Sequence, residues 1–182
     1  MPVIDLSERT LPSLGARIAM CVAPGGSNIE LMSPGVESAP LSQSLRRFLA
    51  RRGAGLFALM LEAPDPNAEA EVLKARGLNV LALMEGAGGR DVHPNSTHGV
   101  LVRVYPVNSF DEAPPAGTSA GALSGVARVI VAVRDLDDAL AAWGQRLGLA
   151  ADAPSEDAER GVAYSIVRPP AVFGPGDTEM LD

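Results

Sequence analysis

Apolar positions fall along this chain in short runs divided by glycine- and proline-rich turns, the pattern of a sheet-rich domain with interleaved helices. Ala16–Val22 (ARIAMCV) and Asn28–Met32 (NIELM) flank a PGGS turn and predict a β-hairpin. Further strands are expected at Leu56–Glu62, Val80–Leu83, Gly99–Tyr105 and Val126–Val133, with a weaker one at Ala163–Val167. Helical spacing appears in three places. Leu41–Arg52 puts Leu41, Leu45, Phe48 and Leu49 on one face and its arginines on the other. Asn67–Arg76 follows Pro66, carries acids in its first turn and stops at Gly77. Asp135–Leu147 opens with acids, spaces Leu136, Leu140, Trp143 and Leu147 helically, and stops before Gly148.

Two of these stretches repeat one design. GLFALMLEAPDPNAEAEVLKARGL and GVARVIVAVRDLDDALAAWGQRLGL each run strand, acidic turn, helix and a closing glycine-leucine. Pro106–Gly125, rich in Pro, Gly, Ala and Ser, separates them without periodicity. The expected division is a module over 1–107, a linker over 108–124 and a partial module over 125–182. The last piece is too small to bury a good core alone and should pack on the first piece or on another chain.

Charge narrows the partners. The 182 residues carry a formal charge of −7, distributed as +2 over residues 1–60 and −9 over the rest. That opposes binding to nucleic-acid phosphates or to an anionic membrane surface. No apolar run approaches the roughly 18–20 residues of a membrane span, and MPVIDLSERT lacks the basic-then-apolar order of a signal peptide. The single cysteine, Cys21, excludes an internal disulfide framework and a cysteine-rich zinc site. A cytoplasmic domain is expected.

ESAPLSQSLRRFLARRGAGLFALMLEAPD, followed by LKARGL, GAGG and HPNSTHGVLVRV, resembles the vicinal-oxygen-chelate (VOC) superfamily, closest to methylmalonyl-CoA epimerase and its glyoxalase I relatives. NIELMSP is similar to the strand preceding this stretch in the family, and VARVIVAVRDLDDALAAWGQRLGL resembles the family's opening strand and helix. The resemblance implies an α+β fold of VOC-type βαβββ modules whose curved sheets form a cup. Here the chain order is shifted or truncated, because the opening strand and helix follow the module they should precede. A truncated tandem protein, a reading frame with damaged ends, and a C-terminal segment that folds back or swaps between chains all fit. A truncated or swapped assembly, completed by dimerisation as a homodimer, is the expectation.

In the metalloenzymes of that family, four inward side chains hold a divalent metal that stabilises an enediolate. Carried onto this chain, the four positions fall on Arg128, Glu30, Ala58 and Arg103. Only Glu30 offers an oxygen donor, and two permanently charged guanidiniums repel a cation. The expectation is therefore no metal and no cofactor. The cup is expected to bind a small anionic or aromatic molecule through Arg103, Arg128, Tyr105 and Asn28, with Glu30 as the candidate base. Arg103 and Arg128 would grip an anion bidentately; a Glu30–Arg103 ion pair replacing the metal is the structural alternative. The functional alternative is a metal-dependent isomerase or lyase, of the acyl-CoA epimerase or lactoylglutathione lyase type, that abstracts a proton next to a carbonyl.

The two histidines, His93 and His98, bracket PNST. They read as a turn residue and a strand cap, with a metal pair or general base as the other option. Gly86–Gly89 reads as a turn and not a phosphate loop, since it does not open a helix. Arg46, Arg47, Arg51 and Arg52 read as a solvated helix face, with an acyl-CoA phosphate clamp as the alternative.

Overall fold

The computed structural model describes residues 2–22, 28–83, 88–110, 126 and 128–149, and the backbone of 164–167. The first half opens with β1 (Val3–Asp5), α1 (Ser7–Leu14), β2 (Ala16–Cys21) and β3 (Ile29–Pro34). The strands form an antiparallel sheet in the order β1-β2-β3. The expected hairpin is present, with Met20 opposite Glu30, and alternation buries Ala16, Ile18 and Met20 on one face. Neither β1 nor α1 was legible in the pattern. One is three residues long, and the other carries Pro12 in its last turn, where a proline reads as a helix breaker.

Helix α2 (Pro40–Arg52) starts on a proline, whose missing N–H costs nothing at that position. It buries Leu41 and Leu45 against Ile18 and Met20, while Arg46, Arg47, Arg51 and Arg52 stay exposed. Its docking is fixed by a buried knot. Ser42 Oγ donates to Gly15 O and accepts from Gly35 N, both at 2.7 Å. Gly15 has φ +70°, and a Cβ there would lie 2.1 Å from that of Ala39, so only glycine fits.

The second sheet contains β4 (Ala58–Ala63), β5 (Arg90–Val92) and β6 (Leu101–Pro106) in the order β4-β6-β5. β4 runs parallel to β6 and crosses over through α3 (Pro66–Ala75). Asp65 caps that helix by accepting from Asn67 N and Ala68 N. The strand expected at Val80–Leu83 is reduced to one bridge, Val80 with Val92, because its partner β5 spans only three residues.

β7 (Val129–Ala132), α4 (Leu136–Leu140) and β8 (Tyr164–Val167) complete the described chain. The helix expected through Leu147 continues from α4 as a wider π-turn over Ala141–Arg146, which contains Gly144, the weakest helix former in the stretch. β7 pairs antiparallel with β8 and not with β3. Val129, Val131, Ala142 and Trp143 instead join Leu59, Val102 and Val104 in one core cluster. The C-terminal strand and helix thus cover the outer face of the second sheet. The fold is mixed α+β. The expected linker lies mostly in residues 111–125, outside the described residues. Among the described residues no helix is long and apolar enough to cross a membrane.

Candidate functional site

A cleft of about 430 Å³ opens between the two sheets, on the face of β4 and β6 opposite the C-terminal helix. Strand alternation builds its walls. Asn28, Glu30 and Met32 come from the β3 side, with Met20 beside them on β2. Ala58, Met60 and Glu62 come from β4, and Tyr105 from β6. Helix α2 closes one end with Leu45, Phe48 and Leu49. Phe48 meets Phe57 edge-to-face, ring centroids 5.4 Å apart and planes at 88°. Phe110 and the turn before it also line the cleft. The cleft is mainly apolar, with Glu30 set into one wall and Glu62 exposed at its rim.

Burial pushes the Glu30 carboxyl above its ordinary range, and the charge of Arg103 offsets part of that rise. Burial also raises the Tyr105 phenol, opposed by Arg103 and reinforced by Glu30 and Asp91. Both groups therefore favour their neutral forms more than they would in water. Both line the same cleft.

Arg103 shares the strand face of Tyr105 but lies behind the cleft wall, 2% exposed. Its Nε donates to Asp91 Oδ1 at 2.6 Å, across the directly paired positions of β5 and β6. Its Cζ sits 5.4 Å from the centroid of the Tyr105 ring. The partner of Arg103 is thus Asp91 and not Glu30, which corrects the expected ion pair. Pairing across adjacent antiparallel strands is geometrically fixed, whereas Glu30 stands on the other sheet. Arg128 is exposed just before β7 and does not line the cleft. Because β7 packs on the outer face of the second sheet, the two guanidiniums do not form a shared anion clamp. Of the expected site residues, the structure brings Asn28, Glu30 and Tyr105 together in the wall, sets Arg103 behind it and leaves Arg128 elsewhere.

The four positions implied by the family's metal site can be tested against this geometry. One is a carboxylate in the wall, one is the methyl of Ala58, one is a buried guanidinium already paired, and one lies outside the cleft. That set does not fit a divalent cation. Among the described residues no cluster of three or more His, Cys, Asp or Glu side chains could hold a metal. His93 Nδ1 accepts from Asn95 N at 3.1 Å in a short 3-10 turn. His98 Nε2 lies 3.6 Å from Asp138 Oδ2 at α4. Neither lines the cleft.

Asp91, Met60 and the Phe48–Phe57 pair escaped the sequence reading. Asp91 had a signal, a lone acid in a short strand facing a lone arginine in the next. The aromatic pair had none, since a loop residue met a helix residue.

No protein-family model matches the chain, and no curated protein matches it significantly. Among solved structures it is similar to a hypothetical protein from Bacillus halodurans, with 25% identity over 61% of this chain and 80% of that one, at a TM-score of 0.47. It is similar to methylmalonyl-CoA epimerase from Mycobacterium tuberculosis, with 25% identity over 59% of this chain and 71% of that one, at 0.46. A variant of the Streptomyces coelicolor epimerase in complex with 2-nitronate-propionyl-CoA gives 23% identity over 56% and 75%, at 0.44.

Proposed function

We propose that the chain is a VOC-type protein whose cleft binds a small, largely apolar molecule with an aromatic body, without a metal. The observation that carries this reading is the wall itself: methionines, leucines and phenylalanines around a single inset carboxyl. A pocket of this size and lining suits a ligand of modest mass, oriented by few polar groups. The Asn28 amide, the Tyr105 hydroxyl and the Glu30 carboxyl supply those polar points.

The test is titration with the neutral, polarity-sensitive dye N-phenylnaphthylamine. Saturable binding near one dye per chain is expected, unaffected by chelator and by added Mn, Co, Ni or Zn. Gly55 lines the cleft, and a Cβ at that position would meet nothing within 4 Å. Gly55→Trp therefore adds an indole to the cleft lining without a clash at its Cβ and should weaken binding. Metal-dependent stabilisation that disappears in Glu30→Gln would overturn the reading.

One observation favours a second reading. A half-buried carboxyl with a raised pKa, in one cleft with a phenol that stays protonated, suits proton abstraction beside a carbonyl by Glu30 with Tyr105 donating to the carbonyl oxygen. Exchange of an acyl α-proton with D2O, lost in Glu30→Gln, is the measurement that distinguishes it.

A further inference from the structure

We infer that the molecule held in this cleft is an organic cation, an ammonium or amidinium group on an aromatic or branched apolar body. This rests on the binding reading above and adds the sign of the ligand's charge. The charged side chains lining the cleft, among the described residues, are Glu30 and Glu62, both acids. The cations that would welcome an anion are all elsewhere. Arg103 is 2% exposed, does not line the cleft and is paired with Asp91 at 2.6 Å, Arg128 is outside the cleft, and the arginines of α2 are exposed.

What remains suits a positive charge. Phe48, Phe57, Tyr105 and Phe110 bring aromatic rings around the space, and a cation over such a ring is attracted by its negative face. The Tyr105 ring already accepts one cation, with Arg103 Cζ 5.4 Å from its centroid. Met20, Met32 and Met60 add polarizable, adaptable surface that can fit ligands of differing outline. Glu30 supplies the counter-charge. Inside the protein its compensation is the charge of Arg103, which Asp91 already shares, so a ligand cation would relieve a desolvated carboxylate. Glu62 at the rim draws cations toward the mouth.

Three probes of nearly equal shape decide the sign: phenyltrimethylammonium, its neutral isostere tert-butylbenzene, and benzenesulfonate. Each is titrated calorimetrically into the full chain at mildly alkaline pH and low salt. The cation should bind about tenfold or more tighter than the neutral isostere, equivalent to about 1.4 kcal/mol, and benzenesulfonate weakest. Glu30→Gln should erase most of that preference, and added salt should weaken only the cation. Circular dichroism checks that the variant is folded. Equal affinity for cation and neutral probe, tighter binding of benzenesulfonate, or a preference that survives Glu30→Gln overturns the inference. If N-phenylnaphthylamine still binds in those cases, only the charge assignment falls; if neither the dye nor any probe binds, the binding reading falls with it.

Discussion

Glu30 and Arg103 differ by one strand pairing, and that difference sets their chemistry. Arg103 has Asp91 directly across the ladder; Glu30 has Met20. The Glu30 carboxyl is therefore held above its ordinary value of 4.5 in the folded chain. The folded state then binds the proton more tightly than the unfolded state, so its contribution to stability is complete below that ordinary value and declines as pH rises through the folded one. Glu30→Gln should raise Tm at neutral and alkaline pH and lose that advantage in acid, as thermal melts across pH would record. The buried Arg103–Asp91 pair behaves differently. Arg103→Leu strands a carboxylate and should cost about 3–5 kcal/mol in urea unfolding. Arg103 Nη2 is itself buried without a partner, so the double change Arg103→Leu with Asp91→Leu should recover most of that loss. A double variant as unstable as the single one would mean that the pair contributes more than mutual compensation.

Among the elements, α2 matters most to the cleft, because Leu45, Phe48 and Leu49 form its end. The helix is held at its start by Ser42, whose hydroxyl joins Gly15 O and Gly35 N. Ser42→Ala removes both bonds at a fully buried point and should cost about 1–3 kcal/mol. The α2 end of the cleft should loosen with it, visible as weaker dye binding measured where the variant remains folded. The repeated strand–helix units use matching start signals. Asp65 accepts from Asn67 N and Ala68 N, and Asp135 from Asp138 N. Each was readable beforehand as an acid at the head of an apolar spacing, which is a local requirement of exposed helix N–H groups.

For the molecule as a whole, the C-terminal strand and helix are part of the core and not an appendage. Trp143 is 2% exposed and packs in the same cluster as Leu59, Val92 and Val102. Trp143→Ala should destabilise the chain by about 3–5 kcal/mol, measured by urea unfolding followed by far-ultraviolet circular dichroism. A loss of under about 1 kcal/mol would show that this packing is not maintained in solution. The placement also explains why Arg128 misses the cleft: the segment carrying it covers the opposite face of β4 and β6.

The sequence by itself determined the local elements: the β2–β3 hairpin, the spans of α2 and α3, the strand–helix repeat, and the face shared by Asn28 and Glu30. These follow from periodicity, turn residues and caps, which act within a few positions of one another. Only the tertiary structure decided which charges meet. Arg103 chose Asp91, β7 chose β8 and the outer face, and a loop phenylalanine met a helix one. Each of those depends on sheet order and layer packing between distant segments, and no local spacing in the chain encodes them.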